Sequence, residues 1–331
     1  MEQHTVFLKV SGISKHLANG LALDHIHFRQ QKGHRVAIAG ATGSGKSTLL
    51  KIIAGLSQPD SGQVVFEGSK VIGPEDKLMP GHKGIAYLSQ HFELPSYYTV
   101  ENILNYENRL EATKAQELYS LCRINHLLHR QTHELSGGEK QRIAMARTLI
   151  SNPKLLLLDE PFSNLDLHHK RIIKEVITDI EMALQVSFIL VSHEPMDILP
   201  WANTILIMQE GKIIQHGTPA ALYQQPNSFY VAGLLGNYNL LNYEEARLLD
   251  VPLIQNMEGK SVLIRPEHIR LESKSDNRPA ATIVRSFFYG SFYEIAIEIN
   301  NIKLLVRTEK MNFEVGETVT VRIESQHLIA I

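Results

Sequence analysis

Residues 40–47 read Gly40-Ala41-Thr42-Gly43-Ser44-Gly45-Lys46-Ser47, and this octapeptide decides the fold. It matches the phosphate-binding pattern G-x-x-x-x-G-K-[ST]. Glycines let backbone N–H groups turn toward a polyphosphate where side chains would obstruct them. A helix starting at Lys46 would add the positive end of its dipole, and Thr48 falls in its first turn. Lys46 is expected to reach the outer phosphates, and the Ser47 hydroxyl to ligate Mg²⁺. The alternative is a Gly-rich turn without a ligand. Placement argues against it, because an apolar run (residues 36–39) precedes the loop and a stretch of helical character (residues 46–54) follows.

Outward from this loop, residues 63–66, 85–88, 154–158, 187–191 and 204–208 read as strands. Helix-like stretches such as residues 167–184 separate the later ones, and residues 99–150 are helical with no convincing strand. Strands alternating with helices predict an α/β fold with a doubly wound, mostly parallel sheet and a helical insertion. Pro226, Gly233, Gly236 and several asparagines break the pattern near residues 226–242. Beyond them the period becomes two. Ile295, Ile297 and Ile299 alternate with Glu294 and Glu298, and Val319, Val321 and Ile323 alternate with Thr318, Thr320 and Arg322. Half-buried antiparallel strands require this pattern, so a small all-β barrel or sandwich is expected there. The predicted domains are residues 1–235, with a helical subdomain at about 96–151, and residues 241–331.

The 331 residues are 44% hydrophobic and 21% charged, which is ordinary globular composition. A net charge of −2 without a long Lys/Arg block argues against a nucleic-acid partner. The single Cys122 excludes a disulfide framework within the chain and suits a reducing cytosol. No apolar stretch approaches the roughly 18–20 residues of a membrane-spanning helix, and residues 1–10 have no signal-peptide character. A cytosolic protein, or one on the cytosolic face of a membrane, is expected. His25 with His27, and His168 with His169, lack Cys partners and helix-spaced His/Glu sets, so a metal site other than Mg²⁺–nucleotide is not expected. The apolar residues of 167–184 fall at near-helical spacing and are read as core.

Two more stretches carry chemistry. Asp159-Glu160-Pro161 follows the apolar run 155–158, at the end of a strand where parallel sheets bind ligands. Asp159 is suited to hold Mg²⁺ through water. Glu160 is suited to polarise an attacking water as general base, typically worth ~10²–10⁴-fold in rate. Alone, two acids after a strand would be a solvated turn; the phosphate loop upstream changes that reading. Leu135-Ser136-Gly137-Gly138-Glu139-Lys140-Gln141-Arg142 places a Ser and two Gly at a helix start, a second anion site. One nucleotide hardly needs two phosphate cradles from one chain. The economical explanation is that each molecule lends this loop to its partner's nucleotide.

These residues together resemble the ATP-binding-cassette ATPases. Residues 135–142 resemble the LSGGQ-like signature, with Glu139 at the usual Gln position. Residues 40–47 resemble the Walker A loop and residues 155–160 Walker B. Gln90, in Tyr87-Leu88-Ser89-Gln90, resembles the glutamine that senses Mg²⁺ and the attacking water. Ser163-Asn164-Leu165-Asp166 resembles the D-loop that crosses the dimer interface, and His193 resembles the switch histidine at the γ-phosphate. The resemblance implies a P-loop NTPase with a RecA-like core and helical insertion, and ATP with Mg²⁺ (Ser47, Gln90, Asp159) as cofactors. It implies a homodimer in which Ser136, Gly137, Gly138 and Asp166 complete the partner's site, with Glu160, His193 and Gln90 catalytic. Ile264-Arg265-Pro266-Glu267 resembles the opening of the OB-like TOBE barrel of importer ATPases for sugars, polyamines, ferric iron or sulfate. That implies separate transmembrane permease subunits, an indirect periplasmic or extracellular solute-binding protein, and a peripheral place on the cytoplasmic face of the inner membrane.

The sequence departs from that pattern twice. Leu17 stands where the family usually stacks an aromatic on adenine, leaving either Leu17 to pack against the base or the neighbouring His16 to stack on it, and the insertion between residues 99 and 135 is short. Phe92 and Leu94, just beyond Gln90, are expected at a channel-facing junction, the alternative being that they pack beneath the short helical insertion. A cassette ATPase acting on chromosomes or ribosomes is the competing class; the chain lacks the long coiled coils or second cassette such proteins carry. An exporter subunit is disfavoured by the barrel.

Overall fold

The structure, a computed structural model, describes residues 6–18, 20–90, 94–108, 110–249, 251, 260–273, 280–310 and 312–331. The chain divides into two compact units, Met1–Ala220 and Ala221–Ile331.

The first unit opens with an antiparallel hairpin, β1 (Leu8–Leu17) and β2 (Gly20–Gln30), followed by β3 (Arg35–Ala39) and α1 (Lys46–Ile53). Next come β4 (Ser61–Phe66), β5 (Ser69–Lys70) and β6 (Ile85–Leu88). The insertion holds α2 (Val100–Glu107), α3 (Ala112–Leu121) and α4 (Gly137–Leu149). The core resumes with β7 (Leu155–Asp159), α5 (Leu167–Leu184), β8 (Ser187–Val191), α6 (Pro195–Ile198), β9 (Thr204–Gln209) and β10 (Lys212–Gly217).

Six strands form one sheet in the order β10-β9-β3-β8-β7-β6, parallel except at the β10–β9 edge. Every residue of β7 and β8 is buried, as expected of central parallel strands covered on both faces. A second, antiparallel sheet runs β2-β1-β4-β5. Its first two strands are hidden from a two-residue periodicity because the β1–β2 register shifts between Val10 and Ile13 and again after it. Leu8, Val10, Ile13, Leu23 and Ile26 nevertheless join Leu49, Leu50 and Ile53 of α1 in one core. Ile173, Val176, Ile177 and Ile180 form the buried face of α5, the i, i+3, i+4, i+7 stripe of a helix packed on a core. The insertion is stitched at its base. Thr99 caps α2 and bridges to Gln131, and the Thr132 hydroxyl donates to the Pro95 carbonyl at 2.7 Å.

The second unit takes in the end of α7 (Pro219–Gln224), then α8 (Phe229–Leu235), β11 (Asn239–Leu241) and α9 (Tyr243–Leu248). The remaining strands are β12 (Val262–Ile264), β13 (Ile269–Ser273), β14 (Ala280–Phe288), β15 (Tyr293–Ile299), β16 (Ile302–Thr308), β17 (Thr318–Ile323) and β18 (Ile329–Ala330). Among the described residues all pairings are antiparallel, in sheets β11-β12-β18 and β13-β17-β14-β15-β16. The five-stranded sheet curls until its end strands β13 and β16 approach each other. Asn239 ties the two sheets, its amide donating to the Leu305 carbonyl at 2.8 Å and accepting from the Leu305 N–H at 2.6 Å.

Residues 221–235, which the sequence pattern groups with the first domain, lie in the second unit. Arg265 explains this. It is 1% exposed, and its guanidinium donates to the carbonyls of Tyr223, Ala232, Gly236 and Asn237 while lying 4.0 Å over the Tyr223 ring. The alternation in the strands also has exceptions: Glu294 and Thr320, read as solvent-facing, are buried. Glu294 accepts from the Asn237 amide at 3.2 Å and lies 3.8 Å from Arg307, which supplies the polar partners a buried acid needs.

Candidate nucleotide site

The loop from β3 to α1 is built around close backbone approaches. Gly45 caps α1 in the left-handed region (φ 96°), and a Cβ there would sit 2.3 Å from the Ala22 carbonyl oxygen of β2. Only glycine fits both conditions. No side chain caps α1, so its first N–H groups are left for a ligand. Lys46 is buried and donates to the carbonyls of Gly40 and Ala41, both at 2.8 Å, within the loop that holds Thr42, Gly43, Ser44 and Gly45. Burial lowers its ammonium pKa from the usual range, and Glu160 and Asp159 partly offset that.

Across the sheet, β7 ends in Asp159. The Ser47 hydroxyl donates to Asp159 Oδ1 at 3.0 Å, and the Tyr87 hydroxyl donates to Oδ2 at 2.8 Å. Tyr87, on β6, is a site residue the sequence reading missed. Its phenol is pushed up from its ordinary range by burial, then by the Asp159 charge and hydrogen bond, so it remains a donor. Glu160 takes a left-handed conformation (φ 48°), turning the chain sharply after the strand. Its N–H donates to the Val191 carbonyl and its own carbonyl accepts from the Ser163 hydroxyl at 2.6 Å. The carboxylate then meets Gln90 Nε2 at 3.2 Å and His193 Nδ1 at 3.5 Å. Lys46, Ser47, Gln90, Asp159, Glu160 and His193 thus share one site at the C-terminal ends of β3, β6, β7 and β8, with Thr48 in the first turn of α1.

A hydroxyl, a carboxylate and an amide oxygen are the hard oxygen donors Mg²⁺ prefers, and that ion usually takes one or two carboxylates beside substrate phosphates. Ser47, Asp159 and Gln90 therefore fit it. No cluster of three or more His, Cys, Asp or Glu suited to a metal occurs among the described residues.

The second group begins at α4. The Ser136 hydroxyl accepts from the Glu139 N–H, and Glu139 Oε2 accepts from the Ser136 N–H at 2.8 Å, a reciprocal capping box. Glu139, the departure from glutamine, is thereby occupied, with Arg130 3.5 Å from its other oxygen. Gly137 is exposed and Gly138 buried. Gln141 of the same helix donates to the Pro161 carbonyl, beside Glu160. Asp166 caps α5 through the His169 N–H at 2.8 Å. Leu17, at the end of β1, is 51% exposed. His16 beside it engages Asp60 with its N–H and its Nδ1; Lys15 chiefly, and then His16, lower that carboxyl to about 2. Phe92 lies outside the described residues; Leu94 is half-buried.

A P-loop nucleotide-hydrolysing core with a helical insertion and a C-terminal antiparallel β unit is the class this fold and site define. The family described as ABC transporter matches residues 23–163, and the TOBE domain family matches residues 262–331. The chain is 30% identical to the spermidine/putrescine import ATP-binding protein PotA of Borreliella afzelii, over 96% of each. It is also 30% identical to the Fe(3+) ions import ATP-binding protein FbpC of Photorhabdus laumondii, over 91% of this chain and 90% of that one. Among solved structures, cbiO1 of Clostridium perfringens, part of an ABC transporter complex, superimposes with a TM-score of 0.57 at 25% identity. That match covers 66% of this chain and 91% of cbiO1. The chain belongs to the ATP-binding-cassette family of ABC transporter ATPases, and it is an ATP-binding, ATP-hydrolysing subunit that works with membrane permease components. No helix among the described residues is long and apolar enough to cross a membrane.

Proposed function

We propose that the chain is the energy-coupling subunit of an importer and works as a homodimer with two shared ATP sites. The hydrolysis is carried by the Glu160 carboxylate held between Gln90 and His193, one residue beyond the Asp159–Ser47 pair. The shared site is carried by the second anion cradle at residues 136–138, which one nucleotide on one chain does not need. In this reading Lys46 turns from its loop carbonyls to the phosphates, and the first N–H groups of α1 cradle them. Mg²⁺ on Ser47, Gln90 and Asp159 would neutralise phosphate charge. Glu160 takes the proton of the attacking water, and His193 and Gln90 position that water. Ser136, Gly137 and Gly138 of the partner cap the γ-phosphate through N–H groups and the Ser hydroxyl, while Asp166 crosses the dimer interface beside them. Leu17 packs against the adenine.

The permease docks beside Gln90 in this account. A groove of about 790 Å³ there is lined by Leu94, Tyr87, Ala144 and Thr148, with Lys83 and Arg147 adding basic character. Apolar anchors and charge at one cleft suit a partner helix. The chain then sits peripherally on the cytoplasmic face of the membrane, reaching a solute-binding protein only through the permease. The relatives' names divide between spermidine/putrescine and Fe(3+) import, so a small cationic solute is the class carried over.

Glu160→Gln tests the reading. It should retain ATP binding, lose at least ~10²-fold in turnover, the lower worth of a general base, and accumulate an ATP-dependent dimer in size-exclusion chromatography. Turnover within about twofold of the parent would remove Glu160 from that role.

A further inference from the structure

The start of α5 carries His169, Lys170 and Lys174, whose partners lie on the α5 cap, at the start of α4 and in and before α6. Asp166 caps the helix, its Oδ1 accepting from the His169 N–H at 2.8 Å and its Oδ2 lying 2.9 Å from His169 Nδ1. The same imidazole also lies against the signature segment at the start of α4. A Cβ built on Gly138 would sit 2.3 Å from His169 Cδ2 and 2.9 Å from Cγ, so the ring occupies the space a side chain there would need. The next residue, Lys170, engages Glu194 and Asp197, and one turn further Lys174 reaches Asp197 at 3.0 Å. Asp197 is 2% exposed and also accepts from the Ser192 hydroxyl, which brackets His193 between two anchored neighbours.

We propose that His169 is a positioning residue that fastens the Asp166 loop to the signature loop of the same chain, so that both reach the partner's nucleotide as one body. This rests on the shared-site reading above. The ring is held on two sides, by a carboxylate and by a glycine backbone, and it is 30% exposed at the surface that reading assigns to the partner. The carboxyl of Asp166 is lowered from its ordinary range chiefly by the His169 N–H and next by the His169 ring, the sense expected if the imidazole donates to it. Without the ring, Asp166 keeps its backbone cap but loses the contact that fixes its second oxygen, and the Gly138 segment loses its backing. Each loop then has to be ordered separately when two chains close, which costs conformational entropy at the step where phosphate contacts form. Nucleotide binding to the open chain uses residues 40–48 and is not affected.

The test compares His169→Ala and His169→Asn in the full chain. The Asn amide can replace the donor at Nδ1 while presenting a smaller group to Gly138. The readouts are ATP affinity of the open chain, steady-state kcat, and ATP-driven dimerisation with Glu160→Gln added. His169→Ala should keep ATP affinity within about twofold and lose about fivefold or more in kcat and in dimerisation, the scale of one hydrogen bond. His169→Asn should recover at least half of the loss. An Ala variant with parental kcat and dimerisation overturns the proposal, and so does an Asn variant no better than Ala. If Ala fails to fold, His169→Leu takes its place as the variant without a donor at Nδ1: a fivefold loss in Leu that Asn at least half recovers supports the role, and equal kcat in Leu and Asn overturns it. A Glu160→Gln parent that does not dimerise with ATP sinks the shared-site reading itself, whereas normal dimerisation in parent and Ala variant alike removes only His169.

Discussion

Asp159 has both carboxylate oxygens occupied, one by Ser47 and one by Tyr87. The first partner is legible from sequence, because the phosphate loop and the acidic pair are local patterns read letter by letter. The second is not. Tyr87 becomes a neighbour of Asp159 only because β6 pairs in parallel with β7, and nothing within either strand announces that pairing. Tyr87→Phe should lower unfolding stability by about 1–2 kcal/mol, the cost of leaving a buried acceptor unpaired. It should also raise the Mg²⁺ concentration needed for half-maximal ATPase, because Asp159 is then less firmly aimed at Ser47. Denaturant unfolding and a Mg²⁺ titration measure the two effects; a variant unchanged in both would make Tyr87 no more than part of the wall. Leu17 was placed from sequence by position alone, and its exposure on the hairpin leaves its face open to a ligand.

Secondary elements were legible where burial is uniform. Continuous apolar runs gave β3, β7, β8 and β9, because a central parallel strand has no solvent face to break the run. In the sheet β2-β1-β4-β5, residues 63–66 of β4 are legible, whereas the register shifts in β1 and β2 break the alternation that would give the bounds and pairing of that hairpin. The start of α4 shows how an element end can carry charge chemistry. The Glu139 carboxyl is opposed by desolvation, yet it is held below its ordinary 4.5 by the Ser136 N–H and hydroxyl and by Arg130 and Arg142. A depressed folded pKa means the stabilisation is complete above the unfolded value and is lost as pH falls through the folded one. Glu139→Gln should therefore cost about 0.5 kcal/mol near neutral pH, as expected for an acid in a first helical turn. The gap should close in acid, below the folded value. Denaturant midpoints at about pH 7 and about pH 3 compare the two regimes. An equal gap at both would show that the charge contributes nothing.

For the whole molecule, the change of period from mixed runs to strict alternation made two domains legible, but their division was not. The segment 221–237 has no strand character, and its attachment depends on Arg265, far along the chain, donating into its carbonyls. Each unit has its own core, one around α1 and the six-stranded sheet and one within the β unit. All candidate catalytic residues belong to the first, so the second has no direct part in the chemistry proposed. The central claim is that one ATP is held by two chains, by residues 40–48 of one and residues 136–138 of the other. Mixing a Lys46→Ala chain with a Ser136→Arg chain tests it most directly, because the mixed dimer alone contains one site with both loops intact. The mixture is expected to trap ATP in a dimer and hydrolyse it well above the sum of the two separate mutants. A mixture that binds and hydrolyses no more than that sum would contradict it.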